Sequence, residues 1–301
     1  MITSIMVPLD GSPFADRAIE PAAALASQHD ARLHFVSVHE HLAPTEDAYR
    51  ADREDLVEHL EQCRSAAAER WRITAVAHAL EPEGAVGDTL AAFAERNGVD
   101  LVVMTTHGRG AAGRAWFGSV ADRFIRIVPA PVLLIRQETR ESRTAFRRIL
   151  VPLDGSDAAE RAIGDAVAVS HPDTEFFVLR VVVPVITFAP HPTGRTIALT
   201  GGVLDEQREE AAAYADGVVK KLKADGREAQ GTVVVDTSPA AAILDSQAET
   251  QPDLIVMAGI SRSGPDRFLL GSVMDKVVRH ASVPVLIRRT RTAQAGAADS
   301  G

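Results

Sequence analysis

The chain has 301 residues, 46% hydrophobic and 24% charged, the balance of an ordinary globular protein, which excludes collagen-like, coiled-coil and largely disordered classes. A formal net charge of −9 argues against a general attraction to DNA, RNA or anionic membrane. One cysteine, Cys63, excludes an intramolecular disulfide or a multi-cysteine metal cage. With no basic flank at the N-terminus and no apolar run long enough to span a bilayer, the expectation is a cytoplasmic protein without membrane insertion.

In chain order, Ile5 to Leu9 is an apolar run closed by Asp10-Gly11, the pattern of a buried strand and its turn. Ser12 then stands as the N-cap of an Ala-rich helix. Leu33 to Val38 is a second strand, Asp52 to Trp71 a charged amphipathic helix, and Ile73 to Ala79 a third strand. Asp88 to Asn97 is a helix, Leu101 to Thr105 a fourth strand, Ser119 opens a last helix and Val132 to Ile135 is a fifth strand. Arg136 to Arg148, rich in Arg and without periodicity, is predicted to be a linker.

The chain then repeats itself. Val7-Pro8-Leu9-Asp10-Gly11-Ser12 recurs unchanged as Val151-Pro152-Leu153-Asp154-Gly155-Ser156, 144 residues on. Asp100 to Met104 is matched by Asp253 to Met257, and Gly118-Ser119-Val120 with Asp122 by Gly271-Ser272-Val273 with Asp275, now 153 residues on. The extra length is placed in Pro184 to Leu204, a Pro-, Gly- and Thr-rich stretch of the kind that absorbs insertions. The second copy has predicted strands at Ile149 to Leu153, Phe176 to Val183, Gly231 to Val235, Leu254 to Met257 and Val285 to Ile287. Its helices follow Ser156, cover Leu204 to Lys223 and Ala240 to Thr250, and start at Ser272, with Thr290 to Gly301 as a tail. Alternating apolar strands and helices imply parallel sheets. The fold class is α/β, two tandem doubly wound domains over residues 1–138 and 146–290, each a five-stranded parallel sheet with helices on both faces.

Ligands of such sheets bind beyond the carboxyl ends of the strands, at the switch in strand order. After strand four the first copy has Thr105-Thr106-His107-Gly108, nine residues, then Gly118-Ser119 opening a helix, a phosphate cradle of glycine and free helix N–H groups. There is no Walker A lysine before Ser119 and no GxGxxG after strand one.

Both halves resemble the universal stress protein family, whose ATP-binding members carry Gly, two residues, Gly, nine residues, then Gly with Ser or Thr. The resemblance implies an adenine nucleotide alpha hydrolase-like fold and ATP as ligand, with Mg²⁺ carried on the phosphate oxygens. It assigns Asp10 and Val38 to adenine or ribose, Gly108 to the backbone near ribose and phosphate, and Gly118 and Ser119 to the phosphates. Pro8, Met104, Thr105 and Val120 complete that set, Thr105 standing where the family has its first Gly. In the second half the corresponding set is Pro152, Asp154, Val181, Met257, Ala258, Ser261, Gly271, Ser272 and Val273. Ser261 replaces Gly108 there, at a cost of about 1–2 kcal/mol if the position needs left-handed backbone, so the first cleft is expected to bind better.

Asp10 and Asp154 have a second reading, as Asp-Gly turn residues that bond nearby N–H groups. No catalytic or metal-ligating residue is marked: His107 has no placed nucleophile, Arg109, Arg114 and Arg123 fit a solvated surface, and Cys63 fits a structural thiol. The leading expectation is a nucleotide-binding regulator of the stress response with a protein partner. The alternatives are a slow ATPase or nucleotide-transferring enzyme, and a nucleotide-free scaffold. The family's fifth strand makes a dimer; tandem copies can satisfy that edge internally as a pseudo-twofold monomer, and the resemblance implies further dimerisation, so a homodimer is expected.

Overall fold

The computed structural model describes residues 1–40, 45–106, 118–136, 145–184, 187–190, 196–199, 201–261 and 271–291. The first half runs β1 (Ser4–Pro8), a 3-10 turn (Ala15–Ala18), α1 (Ile19–His29), β2 (Arg32–Val38), α2 (Glu46–Trp71), β3 (Ala75–Leu80), α3 (Val86–Arg96), β4 (Leu101–Thr105), α4 (Ser119–Ile127) and β5 (Val132–Ile135). The second runs β6 (Phe146–Leu153), α5 (Asp157–Val169), β7 (Ser170–Val182), β8 (Thr187–Pro190), β9 (Thr196–Leu199), α6 (Gly201–Ala224), β10 (Glu228–Val235), α7 (Pro239–Thr250), β11 (Leu254–Ser261), α8 (Ser272–His280) and β12 (Val285–Arg291).

All strands but two form one ten-stranded sheet in the order β10-β7-β6-β11-β12-β5-β4-β1-β2-β3. Within each half the pairing is parallel and the order is third, second, first, fourth, fifth. The halves join where β12 pairs antiparallel with β5, Leu286 opposite Leu133, both fully buried. The fifth strands therefore satisfy each other inside the chain, a pseudo-twofold arrangement that leaves β3 and β10 as the outer edges.

Burial follows the alternation of strand side chains. Leu133 and Ile135 join the core under the 3-10 turn, α1, α2, α5 and α6, while Val132 and Leu134 join the core under α3, α4, α7 and α8. Each core crosses both halves, which is why the two copies behave as one sheet with two apolar faces.

Repeated polar residues start the strands. The Asp100 carboxylate accepts the N–H groups of Thr3 and Ser4 at 2.7 and 3.1 Å, and Asp253 accepts those of Arg147 and Arg148 at 3.0 and 3.1 Å. These bonds satisfy donors that the first strand of each half would otherwise leave open.

The expected linker is shorter than the sequence suggested. Arg136 is buried and donates to the carbonyl of Ala281 at the end of α8, and Phe146 to Arg148 already belong to β6. Arg289, 153 residues later, donates to the carbonyl of Ile125 in α4 at 3.3 Å. Each arginine thus crosses the seam to the last turns of the opposite half's helix, where a cation meets the negative end of the helix dipole. The insertion at 184–204 holds the antiparallel β8–β9 pair and the first turn of α6.

Candidate functional site

Strand order reverses between β1 and β4 in the first half and between β6 and β11 in the second. Beyond those carboxyl ends the chain turns at Asp10 and Asp154. The Asp10 carboxylate accepts the N–H of Ser12 at 2.9 Å, and Asp154 accepts both the N–H and the hydroxyl of Ser156 at 2.9 and 2.6 Å. The turn reading of these aspartates is thus realised. Ser12 and Ser156 in turn accept the N–H groups of Ala15 and Ala159, both at 3.1 Å. Ser156 is the N-cap of α5, whereas the N-cap of the 3-10 turn is Phe14 and that of α1 is Ala18, so Ser12 closes the turn before them and is not the helix cap that the sequence suggested.

In the first half Pro8 and Val38 lie half-buried at the ends of β1 and β2, and Met104 and Thr105 are buried at the end of β4. Gly118 is the N-cap of α4, with no side-chain cap bond, and Val120 in the first turn is exposed. Helices in this fold run against the strands, so the N-terminus of α4 lies at the same end of the sheet as Asp10, Val38 and Thr105. Gly118 has an ordinary φ of −61°, and among the described residues a Cβ there would meet nothing within 4 Å. Among the described residues no side-chain cap bond is made to the first turn of α4, the arrangement that attracts an anion. Gly108, with His107, Arg109 and Arg114, lies outside the described residues. Arg123 pairs with Asp88 through two bonds of 2.6 Å, tying α4 to α3, which is a structural role.

The second half keeps the frame and changes its rim. Pro152, Val181 and Met257 are buried, Ala258 and Val273 half-buried, and Ser272 exposed at the start of α8. Strand β11 continues to Ser261, paired with β12 as far as Arg291, whereas β4 stops at Thr105. Ser261 is thus in extended strand, so the left-handed turn whose cost was considered for it does not arise there. The left-handed residue is instead Gly271, with φ +81°.

Arg180 is the residue that the sequence reading missed. Its guanidinium lies 3.9 Å from where a Cβ on Gly155 would stand, and it donates to the carbonyl of Val181 at 2.7 Å. The equivalent residue in the first half is the buried Ser37. The sequence signal was a lone charge inside an apolar strand. Close by, burial and then the Glu160 carboxylate, with Asp154 adding, push the Tyr214 phenol up to about 12. The Tyr214 phenol therefore stays protonated beside Glu160 and Asp154.

Cys63 has two polar neighbours: His59 Nε2 lies 3.6 Å from its sulfur, and the same nitrogen is 3.0 Å from the Asp16 carboxylate. Burial, with the Asp16 charge adding, pushes the thiol up to about 11. A free nucleophilic thiolate is disfavoured, in line with the structural reading.

The protein-family comparison matches the model described as "Universal stress protein family" to residues 1–136 and again to 145–289. A universal stress protein of Mycolicibacterium smegmatis is 26% identical over 304 residues, covering 95% of this chain and 97% of that one. One from Mycobacterium tuberculosis is 27% identical over 325 residues, covering 95% and 94%, and one from Methanocaldococcus jannaschii is 30% identical over 149 residues, 49% of this chain and 85% of its own. Among solved structures, a universal stress protein from Archaeoglobus fulgidus superposes with a TM-score of 0.71 at 19% identity, covering 95% of this chain and 98% of that chain. Among the described residues no helix is long and apolar enough to cross a membrane. With the same family matched in both halves and the sheet built twice over, the chain belongs to the universal stress protein family.

Proposed function

We propose that the chain is an adenine-nucleotide-binding regulator, with ATP held in the first cleft and its occupancy read by a protein partner. The observation that carries this reading is the glycine-opened start of α4, without a side-chain cap among the described residues, beside the reversal of strand order between β1 and β4. In this reading the backbone N–H groups at Gly118, Ser119 and Val120 take the phosphates. Asp10, Pro8, Val38, Met104 and Thr105 border adenine and ribose, with Gly108 between. The Asp10 bond to Ser12 then holds the turn in place for the ligand, so the two roles coincide. Mg²⁺, where present, travels on the phosphates.

The second cleft is the weaker site in this reading, with Asp154, Val181, Gly271 and Ser272 as its contacts and Pro152, Met257, Ala258, Ser261 and Val273 around them. Arg180 over Gly155 lets a phosphate-bearing ligand bind there only where that guanidinium turns to meet it. A homodimer, if formed, uses surfaces other than the fifth strands, which already pair with each other. The test is mass spectrometry of small molecules released from freshly purified protein, followed by calorimetry with added ATP. About one ATP per chain, lost in Gly118→Ala, is expected. A folded protein that carries no nucleotide and takes up none would replace this reading with a scaffold acting through its surfaces, and steady turnover lost in Asp10→Ala would make it an enzyme.

A further inference from the structure

Helix α2 presents His59 and Cys63 one turn apart on the same face. That face packs towards the 3-10 turn after β1, which brings Asp16 to the pair. One ligand atom from each residue, a carboxylate oxygen, an imidazole nitrogen and a sulfur, lies within 4.8 Å of the other two. The two measured separations are 3.0 Å for oxygen to nitrogen and 3.6 Å for nitrogen to sulfur. Ligand atoms around a tetrahedral ion with bonds of about 2.0–2.3 Å stand roughly 3.3–3.7 Å apart, so the oxygen–nitrogen and nitrogen–sulfur separations are within a fraction of an ångström of that spacing, and the oxygen–sulfur separation, under 4.8 Å, closes by side-chain rotation.

We propose that Asp16, His59 and Cys63 form a three-ligand site for a borderline divalent cation, Zn²⁺ or Co²⁺, with a fourth position open to water. The donor set decides the class. Thiolate and imidazole select against Mg²⁺ and Ca²⁺, and three protein ligands with one vacancy is the arrangement of an accessible rather than a closed structural zinc site. The site is reachable, since the Asp16 and His59 side chains are 32% and 29% exposed. It is also held in place: Leu56, Leu60 and Ala67 bury the flanking turns of α2, and the Asp16 N–H bonds the Ser12 carbonyl at 3.3 Å. On binding, the thiol gives up its proton to solvent, imidazole Nε2 becomes a ligand with its proton on Nδ1, and the carboxylate exchanges its hydrogen bond for the ion.

The second half supplies an internal control. The buried spacing of α2, Leu56, Leu60, Cys63 and Ala67, recurs in α6 as Ala211, Ala215, Val218 and Leu222. That register sets Tyr214 where His59 stands and Val218 where Cys63 stands, and the first repeat offset sets Glu160 at Asp16. Tyrosine and valine supply no borderline-metal ligands, so one ion per chain is expected, in the first half alone.

Titration of Co²⁺ into the chelator-treated full chain tests this. One equivalent should give a thiolate-to-cobalt charge-transfer band together with the intense visible bands of tetrahedral cobalt, both discharged by Zn²⁺. Cys63→Ser, nearly isosteric, should remove the charge-transfer band while thermal unfolding shows the fold retained. His59→Gln and Asp16→Asn should each weaken binding at least tenfold. No charge-transfer band with a folded chain, a band of undiminished strength in Cys63→Ser, or a smaller loss in either ligand variant would overturn the site.

Discussion

The two halves share a sheet order and core but part company at the carboxyl ends of their strands. In the first, β4 stops at Thr105 and the helix beyond begins at a glycine of ordinary backbone. In the second, β11 and β12 run on together to Ser261 and Arg291, α8 begins at a left-handed glycine, and Arg180, whose first-half counterpart is the buried Ser37, lies over the turn at Gly155. Duplication has kept what apolar burial enforces and released what only a ligand would enforce. The lesson is that a repeated fold does not carry a repeated site.

The equivalence is sharpest at the seam, and it can be broken there. Leu133 and Leu286 face each other, each fully buried. Truncation of either to Ala should cost about 2–5 kcal/mol, read as a lower urea midpoint, and the two losses should agree within about 1 kcal/mol if the pseudo-twofold holds energetically. A large inequality would show that one half leans on the other.

The halves should also differ in acid. His34 on β2 lies 3.0 Å from His78 on β3 and against Phe93 of α3, and it lines a cavity of about 420 Å³ with Arg32 and Asp30. Burial first, then His78 and Arg32, bring His34 down to about 4, and burial lowers His78 as well. A histidine whose folded pKa lies below its unfolded value contributes stability that is complete above about 6.5 and is lost as pH falls towards the folded value. For His34 that is on the order of 3 kcal/mol between about pH 6.5 and 4. The second half has Phe177 at the His34 register, under the Arg148 guanidinium, and Thr232 at the His78 register. Hydrogen exchange at pH 5 should therefore open β2 and β3 before β7 and β10, and His34→Phe should flatten the pH slope. Equal protection of the two edges at pH 5 would refute it.

How far the sequence foretold this depends on which force acts at each position. Continuous apolar runs such as Leu101 to Thr105 marked the strands because a buried strand needs them. Strand β7 was expected from Phe176 but begins at Ser170, since Ser-His-Pro-Asp-Thr carries no apolar signal, and Phe146 meets it only through an irregular rung. Arg136 looked like linker because a buried arginine is legible only once Ala281, distant in sequence, comes beside it. At the site, the glycines opening α4 and α8 were visible as a repeated Gly-Ser, but their different backbones were not, because an identical dipeptide serves both conformations. Asp16, His59 and Cys63 were invisible as a set for the same reason, two lying on one helix and the third on a turn over 40 residues earlier.

That backbone difference makes the last contrast a matter of sign. Gly271 has φ +81° and ψ 153°, a region that only glycine occupies without strain, so Gly271→Ala should destabilise the chain by about 1–3 kcal/mol although among the described residues nothing lies within 4 Å of the added Cβ. Gly118 has φ −61° and ψ 154°, extended backbone that alanine adopts freely, and among the described residues Gly118→Ala meets no neighbour. It should be neutral or stabilise by about 0.4–1 kcal/mol, because alanine restricts the unfolded chain more than glycine does. Urea unfolding of the two variants without nucleotide reads the pair directly. The same Gly118→Ala protein then separates folding from binding: loss of nucleotide in a chain at least as stable as its parent locates the effect in the approach of a ligand to the α4 backbone. If Gly118→Ala destabilised the chain as much as Gly271→Ala, the two helix starts would share one backbone demand and the contrast between the clefts would fail.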